Sequence, residues 1–218
     1  MSILVKSIYF SPIKSLSFIN IKSCEVKKDL GILNDRRFAF SRIVDAEKAL
    51  LIETEPNERK LNNFLSLKNS PILNKYNFTY KDNRLASILG GKELISIVAD
   101  NLEQRSTLIN KLIDIESSLM KPIFLLENNE FPFYDTSHSN KTFNSISLIN
   151  LNSIQDFEKK INQKIKLQRF RGNFYIDGIE AWEERNWIGK IIKITSKSLE
   201  LYFFINFFLK IFNTIKVY

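Results

Sequence analysis

Apolar residues fall in short bursts along the first fifty positions, and turn residues interrupt them. Ile3 to Phe10 is rich in β-branched and aromatic side chains and stops at Ser11-Pro12, which predicts a strand ended by a proline. Ile19 to Val26 partly alternates and predicts a second strand. Gly31 and the turn pair Asn34-Asp35 then lead into a third at Arg37 to Ser41, and Leu50-Leu51-Ile52 reads as a fourth. Short strands at this spacing predict an antiparallel sheet or barrel rather than βαβ units.

The middle is less regular. Asn77 to Tyr80 and Leu85 to Ile88 flank Asp82-Asn83 and predict a hairpin. Asp100 is placed to cap a helix running to about Leu119, with Leu102, Leu108, Ile109, Leu112 and Ile113 on one face. Lys121 to Leu126 reads as a strand and Asn128 to Lys141 as a polar loop. Ser145 to Ile149 is an apolar strand. Ser153-Ile154-Gln155-Asp156 resembles a capping box, with Asp for Glu or Gln, opening a helix that buries Ile154, Phe157 and Ile161. Ile165 to Arg169, Phe174 to Asp177 and Ile191 to Thr195 complete the strands. No repeat and no Pro/Ser/Gly-rich linker is evident.

The chain has 218 residues, 44% hydrophobic and 26% charged, with 6 Gly and 5 Pro. That is one to two domains with a sizeable core, and it excludes collagen and wholesale disorder. A single cysteine, Cys24, excludes internal disulfides, Cys-ligated iron–sulfur clusters and Cys-rich zinc sites. A single histidine, His138, excludes any site needing two imidazoles. The net charge is +8, from 32 basic and 24 acidic residues. The excess of Ile, Asn, Lys and Phe reads first as the codon bias of A/T-rich DNA. The charge still favours anionic partners, against the plainer reading of a solvated Lys-rich surface. Met1 to Phe10 lacks the pattern of a secretory leader, and a cytoplasmic location is expected.

Common nucleophile schemes fail. Cys24 lies in a predicted strand beside Glu25, a neighbour that raises a thiol pKa. His138 sits among Ser, Thr and Asn with no compelling Asp-His-Ser order. There is no P-loop, and Gly90-Gly91 lacks the G-x-G-x-x-G pattern. In Trp182 to Gly189, Glu183 and Glu184 are adjacent and face opposite ways in an extended chain, so they make a poor glycosidase pair. That stretch reads either as a loop folded over a barrel or as an aromatic plug with a capping carboxylate.

Basic residues near turns say more. Lys14-Ser15 follows the strand-ending proline, and Asp35-Arg36-Arg37 precedes a strand. Arg169, Arg171 and Asn173 alternate, so in an extended chain they share a face. Guanidinium groups, an amide and a hydroxyl together suit a multiply charged, hydrogen-bonding ligand such as a phosphorylated pterin. Each piece alone is matched by an ordinary charged surface.

Two motif groups, in order, resemble a known family. Ser11-Pro12-Ile13-Lys14-Ser15, Gly31 and Asp35-Arg36-Arg37-Phe38 resemble the N-terminal β-barrel segment of MOSC proteins, named for the C-terminal domain of molybdenum cofactor sulfurase. Arg169-Phe170-Arg171-Gly172-Asn173, Asp177-Gly178 and Trp182-Glu183-Glu184-Arg185-Asn186-Trp187 resemble the MOSC core. The resemblance runs from about Ile3 to Thr195. It implies an α+β, predominantly β fold with a MOSC-type β-barrel core, an N-terminal β-barrel-like segment and a few helices. The domains would be 1–120 (N-terminal), 121–199 (partial MOSC) and 200–218 (an atypical hydrophobic tail).

Similar proteins include the amidoxime-reducing component and bacterial MOSC reductases. They bind the molybdopterin-type molybdenum cofactor and reduce N-hydroxylated compounds. By that resemblance Lys14, Ser15, Arg36, Arg171 and Asn173 bind the cofactor, the substrate is a small N-hydroxylated molecule, and a separate ferredoxin- or flavoprotein-type partner donates electrons. The sulfurase branch adds a pyridoxal-phosphate domain, for which this chain has no room. Nucleic acid and membrane are not expected partners.

One departure matters. These reductases ligate molybdenum through a Cys near the C-terminus, whereas the stretch from Glu200 to Tyr218 contains none. Cys24 lies in the wrong segment to replace it, so the catalytic ligand is unknown and the chain is expected to be impaired. The tail has three readings: a membrane anchor, too short and polar for a comfortable span; a native strand and helix closing the barrel; or out-of-frame translation of A/T-rich DNA. The last is preferred, and an Arg-Cys-containing continuation in another frame is expected. The competing functions are a molybdenum-dependent N–O reductase, a non-catalytic carrier of cofactor or another phosphorylated ligand, and, on charge and aromatics alone, a nucleic-acid-binding barrel.

Overall fold

A computed structural model describes residues 3–27, 30–42, 44–134, 146–196, 199–207 and 213–217. His138 lies outside the described residues. In chain order the strands and helices are β1 (Leu4–Phe10), β2 (Ile19–Ile21), β3 (Val26–Lys27), β4 (Gly31–Ile32), β5 (Phe38–Phe40), α1 (Ala46–Thr54), β6 (Tyr76–Lys81), β7 (Arg84–Leu89), β8 (Lys92–Val98), α2 (Leu102–Ile115), β9 (Leu125–Glu127), β10 (Ile146–Asn150), α3 (Leu151–Ile161), β11 (Phe174–Asp177), β12 (Ile191–Ser196), β13 (Leu199–Phe207) and β14 (Asn213–Val217). Short 3₁₀ turns punctuate them. The fold is mixed α+β and predominantly β. Among the described residues no sheet closes into a barrel; each has two ends.

The chain divides into two compact units that interleave along the sequence. One comprises residues 1–10, 20–33 and 143–218; the other comprises 11–19 and 34–142. The expected boundary at 120 falls inside the second unit.

The first unit carries a seven-stranded sheet in the order β12-β13-β14-β10-β11-β1-β2. Strands β10 and β11 are parallel, Leu148 opposite Phe174, and α3 connects them. β10, α3 and β11 thus form a βαβ unit, since parallel neighbours need a crossover connection and α3 supplies it. Asn150 caps α3, its Oδ1 accepting from the Asn152 amide at 3.0 Å, so the expected capping box at Ser153 does not form. Ile154 is buried in α3 as expected, while Ile161 is exposed. The tail pairs as strands: β13 lies between β12 and β14, and β14 pairs antiparallel with β10, Ile146 opposite Ile215. No helix among the described residues is long and apolar enough to cross a membrane.

The second unit packs α2 on the sheet β6-β7-β8, with Leu108, Ile109 and Leu112 meeting Phe78, Leu85, Ile97 and Phe40. The hairpin predicted at Asp82-Asn83 is present, both turn residues at positive φ. Gly90 and Gly91 turn the next hairpin in the same manner. Asn101 rather than Asp100 caps α2, accepting from the Gln104 amide at 3.0 Å. The expected fourth strand at Leu50 is helical. Asp45 accepts from the Lys48 amide at 2.7 Å and opens α1, and Ala49 and Ile52, three apart, form its buried stripe. The strand expected from Lys121 starts only at Leu125.

Ser87, at the middle of β7, is 0% exposed, and its hydroxyl has no hydrogen-bond partner among the described residues. A buried hydroxyl left unpaired costs about 1–3 kcal/mol. Ser87→Ala is therefore expected to stabilise the protein by about 1 kcal/mol, read as a rise in Tm of about 2–4 °C. A fall in Tm would mean that the hydroxyl does useful bonding.

Candidate functional site

Lys14, Ser15 and Arg36 lie on two turns of the second unit that are sewn together by backbone bonds. The Ser11 amide donates to Asp35 Oδ1 at 2.9 Å, and the Arg36 amide donates to the Ser11 carbonyl at 2.7 Å. The Lys14 amide donates to the Phe38 carbonyl at 2.7 Å, and the Phe38 amide to that of Pro12 at 2.9 Å. Ser15 and Arg36 both hold left-handed backbone, at φ 60° and 54°. Non-glycine residues there cost roughly 1–2 kcal/mol each, so the surrounding bonds must impose these turns.

The Lys14 and Arg36 side chains both reach one segment, Phe133–Tyr134. Lys14 is only 3% exposed; its Nζ donates to the Phe133 carbonyl at 3.3 Å and sits 5.4 Å from the centre of the Phe64 ring. The Arg36 Cζ lies 5.0 Å from the centre of the Phe18 ring and 5.1 Å from that of Tyr134, and the guanidinium pairs with the buried carboxylate of Asp35. The Phe133 amide donates to the Arg36 carbonyl at 2.8 Å. Burial, reinforced by Asp35 and only partly offset by Arg36, pushes the Tyr134 hydroxyl well above the usual range for a phenol. A further cation, Arg59, bonds the backbone of the same segment. Burial lowers it to about 10, with Glu53 opposing the shift.

Arg171 and Asn173 belong to the first unit. The expected extended run from Arg169 to Asn173 does not exist: Leu167–Phe170 forms a 3₁₀ turn, Arg171 is left-handed at φ 51°, and β11 begins only at Phe174. The face that Arg169, Arg171 and Asn173 were expected to share is therefore absent. Gly172, next to Arg171, lies so close to Ile149 that a Cβ there would stand 2.1 Å from its Cδ1. Arg171 is half-buried at the end of that turn.

Asn173 is buried and ties two strands together. Its Oδ1 accepts from the Ser147 amide at 3.1 Å and hydroxyl at 2.9 Å, and its Nδ2 donates to the Tyr9 carbonyl at 3.1 Å. In the tryptophan-flanked loop, Glu184 is buried and accepts from Asn150 Nδ2 at 2.8 Å and the Ser153 hydroxyl at 2.7 Å, bonding side chains of the first turn of α3 while Asn150 supplies its cap. Cys24 is half-buried between β2 and β3 rather than inside a strand. Among the described residues no group of three or more His, Cys, Asp or Glu is placed to hold a metal ion.

Sequence reasoning missed Arg59, Phe133 and Tyr134. Phe133 and Tyr134 stand in a stretch read as a polar loop, and Arg59 in a charged run; nothing in their spacing marks them. Compared with family models and with curated proteins, the chain matches none.

Proposed function

We propose that this chain is a MOSC-type protein that binds a phosphorylated, pterin-type molybdenum cofactor, with Lys14, Ser15 and Arg36 holding its anionic end. One observation carries the reading: two cations from separate turns, Lys14 and Arg36, meet on the Phe133–Tyr134 segment. The donor set fits a phosphate. An ammonium, a guanidinium near two aromatic rings, and a hydroxyl supply charge and directional N–H and O–H bonds. Asp35 is tied to the Ser11 amide and to Arg36, so it steadies the guanidinium.

Arg171 and Asn173 belong to the first unit, which fixes them through a left-handed turn and a two-strand tie; their assignment to a cofactor rests on the resemblance alone. That resemblance also takes the β-rich architecture as a MOSC-type barrel core. The bound cofactor would supply the redox chemistry: two electrons from a separate ferredoxin- or flavoprotein-type donor and two protons convert an N-hydroxylated substrate to the reduced nitrogen compound and water. The protein's own share is to hold the anionic end and orient the group. The absence of any Cys between Glu200 and Tyr218 favours a second reading, a carrier that binds the cofactor without turnover.

Protein produced in cells that make the cofactor is expected to contain molybdenum and pterin in near-equal amounts, and Arg36→Ala to reduce both by about tenfold, the worth of a charge-assisted bond. Wild-type protein that carries neither would overturn both readings. With cofactor present, reduction of an N-hydroxylated amine favours the enzyme, and none favours the carrier.

A further inference from the structure

Arg59 is buried, 9% exposed, and its guanidinium reaches four backbone carbonyls. Nε donates to Ile52 at 2.9 Å and Nη2 to Glu53 at 3.0 Å. Nη1 donates to Phe131 at 2.5 Å and reaches Pro132 at 3.4 Å. Its Cζ lies 4.0 Å from the centre of the Phe133 ring. Ile52 and Glu53 are in the last turn of α1, whose carbonyls have no partners within the helix. The fork thus bolts the Phe131–Phe133 segment to the end of a helix, a task that needs planar, divergent donors.

Every face of Phe133 then bears on the cation pair. Its amide bonds the Arg36 carbonyl, its carbonyl accepts from Lys14, and its ring packs edge-on against Phe64, at 5.6 Å, the ring that Lys14 sits over. We propose that Arg59 is a positioning residue for the anion site: it fixes the Phe133 carbonyl and ring, and through them the Lys14 ammonium. This rests on the reading of Lys14 and Arg36 as anion-holding residues. Arg59 itself is turned to backbone oxygens, so it acts through Phe133.

The test is the affinity for inorganic phosphate of wild type, Arg59→Met and Arg59→Lys, each followed by amide spectra well below its own Tm, with Tm measured separately. Arg59→Met and Arg59→Lys are both expected to weaken binding by about tenfold while folded. The lysine variant keeps the charge and loses the fork, so its loss isolates position from field. If Arg59→Met does not fold, Arg59→Lys alone decides. Unchanged affinity in a variant whose Tm has dropped would make Arg59 merely structural, and wild-type affinity in Arg59→Lys would assign its effect to charge; either result overturns the proposal. Failure of wild type itself to bind phosphate would instead overturn the anion-site reading beneath it.

Discussion

Glu127→Ala is expected to destabilise the protein by about 3–5 kcal/mol, the cost of breaking a buried ion pair from one side. Its carboxylate, 11% exposed, is gripped from two elements. Arg37, just before β5, donates Nε to Oε1 at 2.7 Å, and Arg105 of α2, 9% exposed, pairs with Oε2. Arg105 also donates Nη1 to Glu53 Oε1 at 2.8 Å, and that oxygen accepts the Glu127 amide at 2.7 Å. Two carboxylates and two guanidiniums thus join α1, α2, β5 and β9. Removing Glu127 leaves Arg37 without its carboxylate, while Arg105 keeps Glu53 and the carbonyls of Ala99 and Leu125. Against a total of about 5–15 kcal/mol for a typical domain, the loss is severe. Glu127→Gln keeps the shape and removes the charge, so it is expected to recover only part of it. Chemical denaturation of both variants, and of the double variant Glu127→Leu/Arg37→Met, which keeps the Arg105–Glu53 pair, checks the account. The double variant is expected to be more stable than Glu127→Ala, because no charge is left stranded. A loss below 1 kcal/mol for Glu127→Ala would show the network to be idle.

That network also marks where sequence reading stops. Local chemistry was legible: the Asp82-Asn83 turn, the apolar stripe of α2 at Leu108, Ile109 and Leu112, and the strand ended by Pro12 all follow from neighbours along the chain. Leu50-Leu51-Ile52 misled because three apolar residues fit a strand or a buried helix face equally, and the cap at Asp45 decides between them. The pairing of Lys14 with the Phe133 carbonyl spans 119 positions, and that of Arg37 with Glu127 spans 90; spacing carries no record of either. Lys14, Ser15 and Arg36 stood out in sequence as basic or polar residues at turns. The left-handed backbone of Ser15 and Arg36, and the segment that Lys14 and Arg36 share, emerge only when the turns are folded on each other.

Gly172→Ala is expected to destabilise the first unit by about 1–3 kcal/mol, the usual cost of forcing extra volume into a packed site. Gly172 has no need of positive φ; what it needs is room. A Cβ there would stand 2.1 Å from Ile149 Cδ1 and 2.7 Å from Cγ1, with Tyr175 Cε2 at 3.5 Å. Ile149 cannot simply swing aside, because it is buried in a cluster with Ile154 and Tyr175. Tyr175 in turn is anchored by its hydroxyl, which donates to the Leu167 carbonyl at 2.8 Å, and burial pushes that hydroxyl up to about 12. Relief must then come from the backbone on either side, at Arg171 and Asn173. The compensating change is Ile149→Val, which deletes Cδ1, the atom of closest approach. The double variant Gly172→Ala/Ile149→Val is expected to lose clearly less than the sum of the two single losses, a coupling of at least about 0.5 kcal/mol for residues in contact. Thermal melts of the four proteins measure it. Strict additivity would mean that the methyl group finds space elsewhere, and that the glycine is not required by the approach to β10.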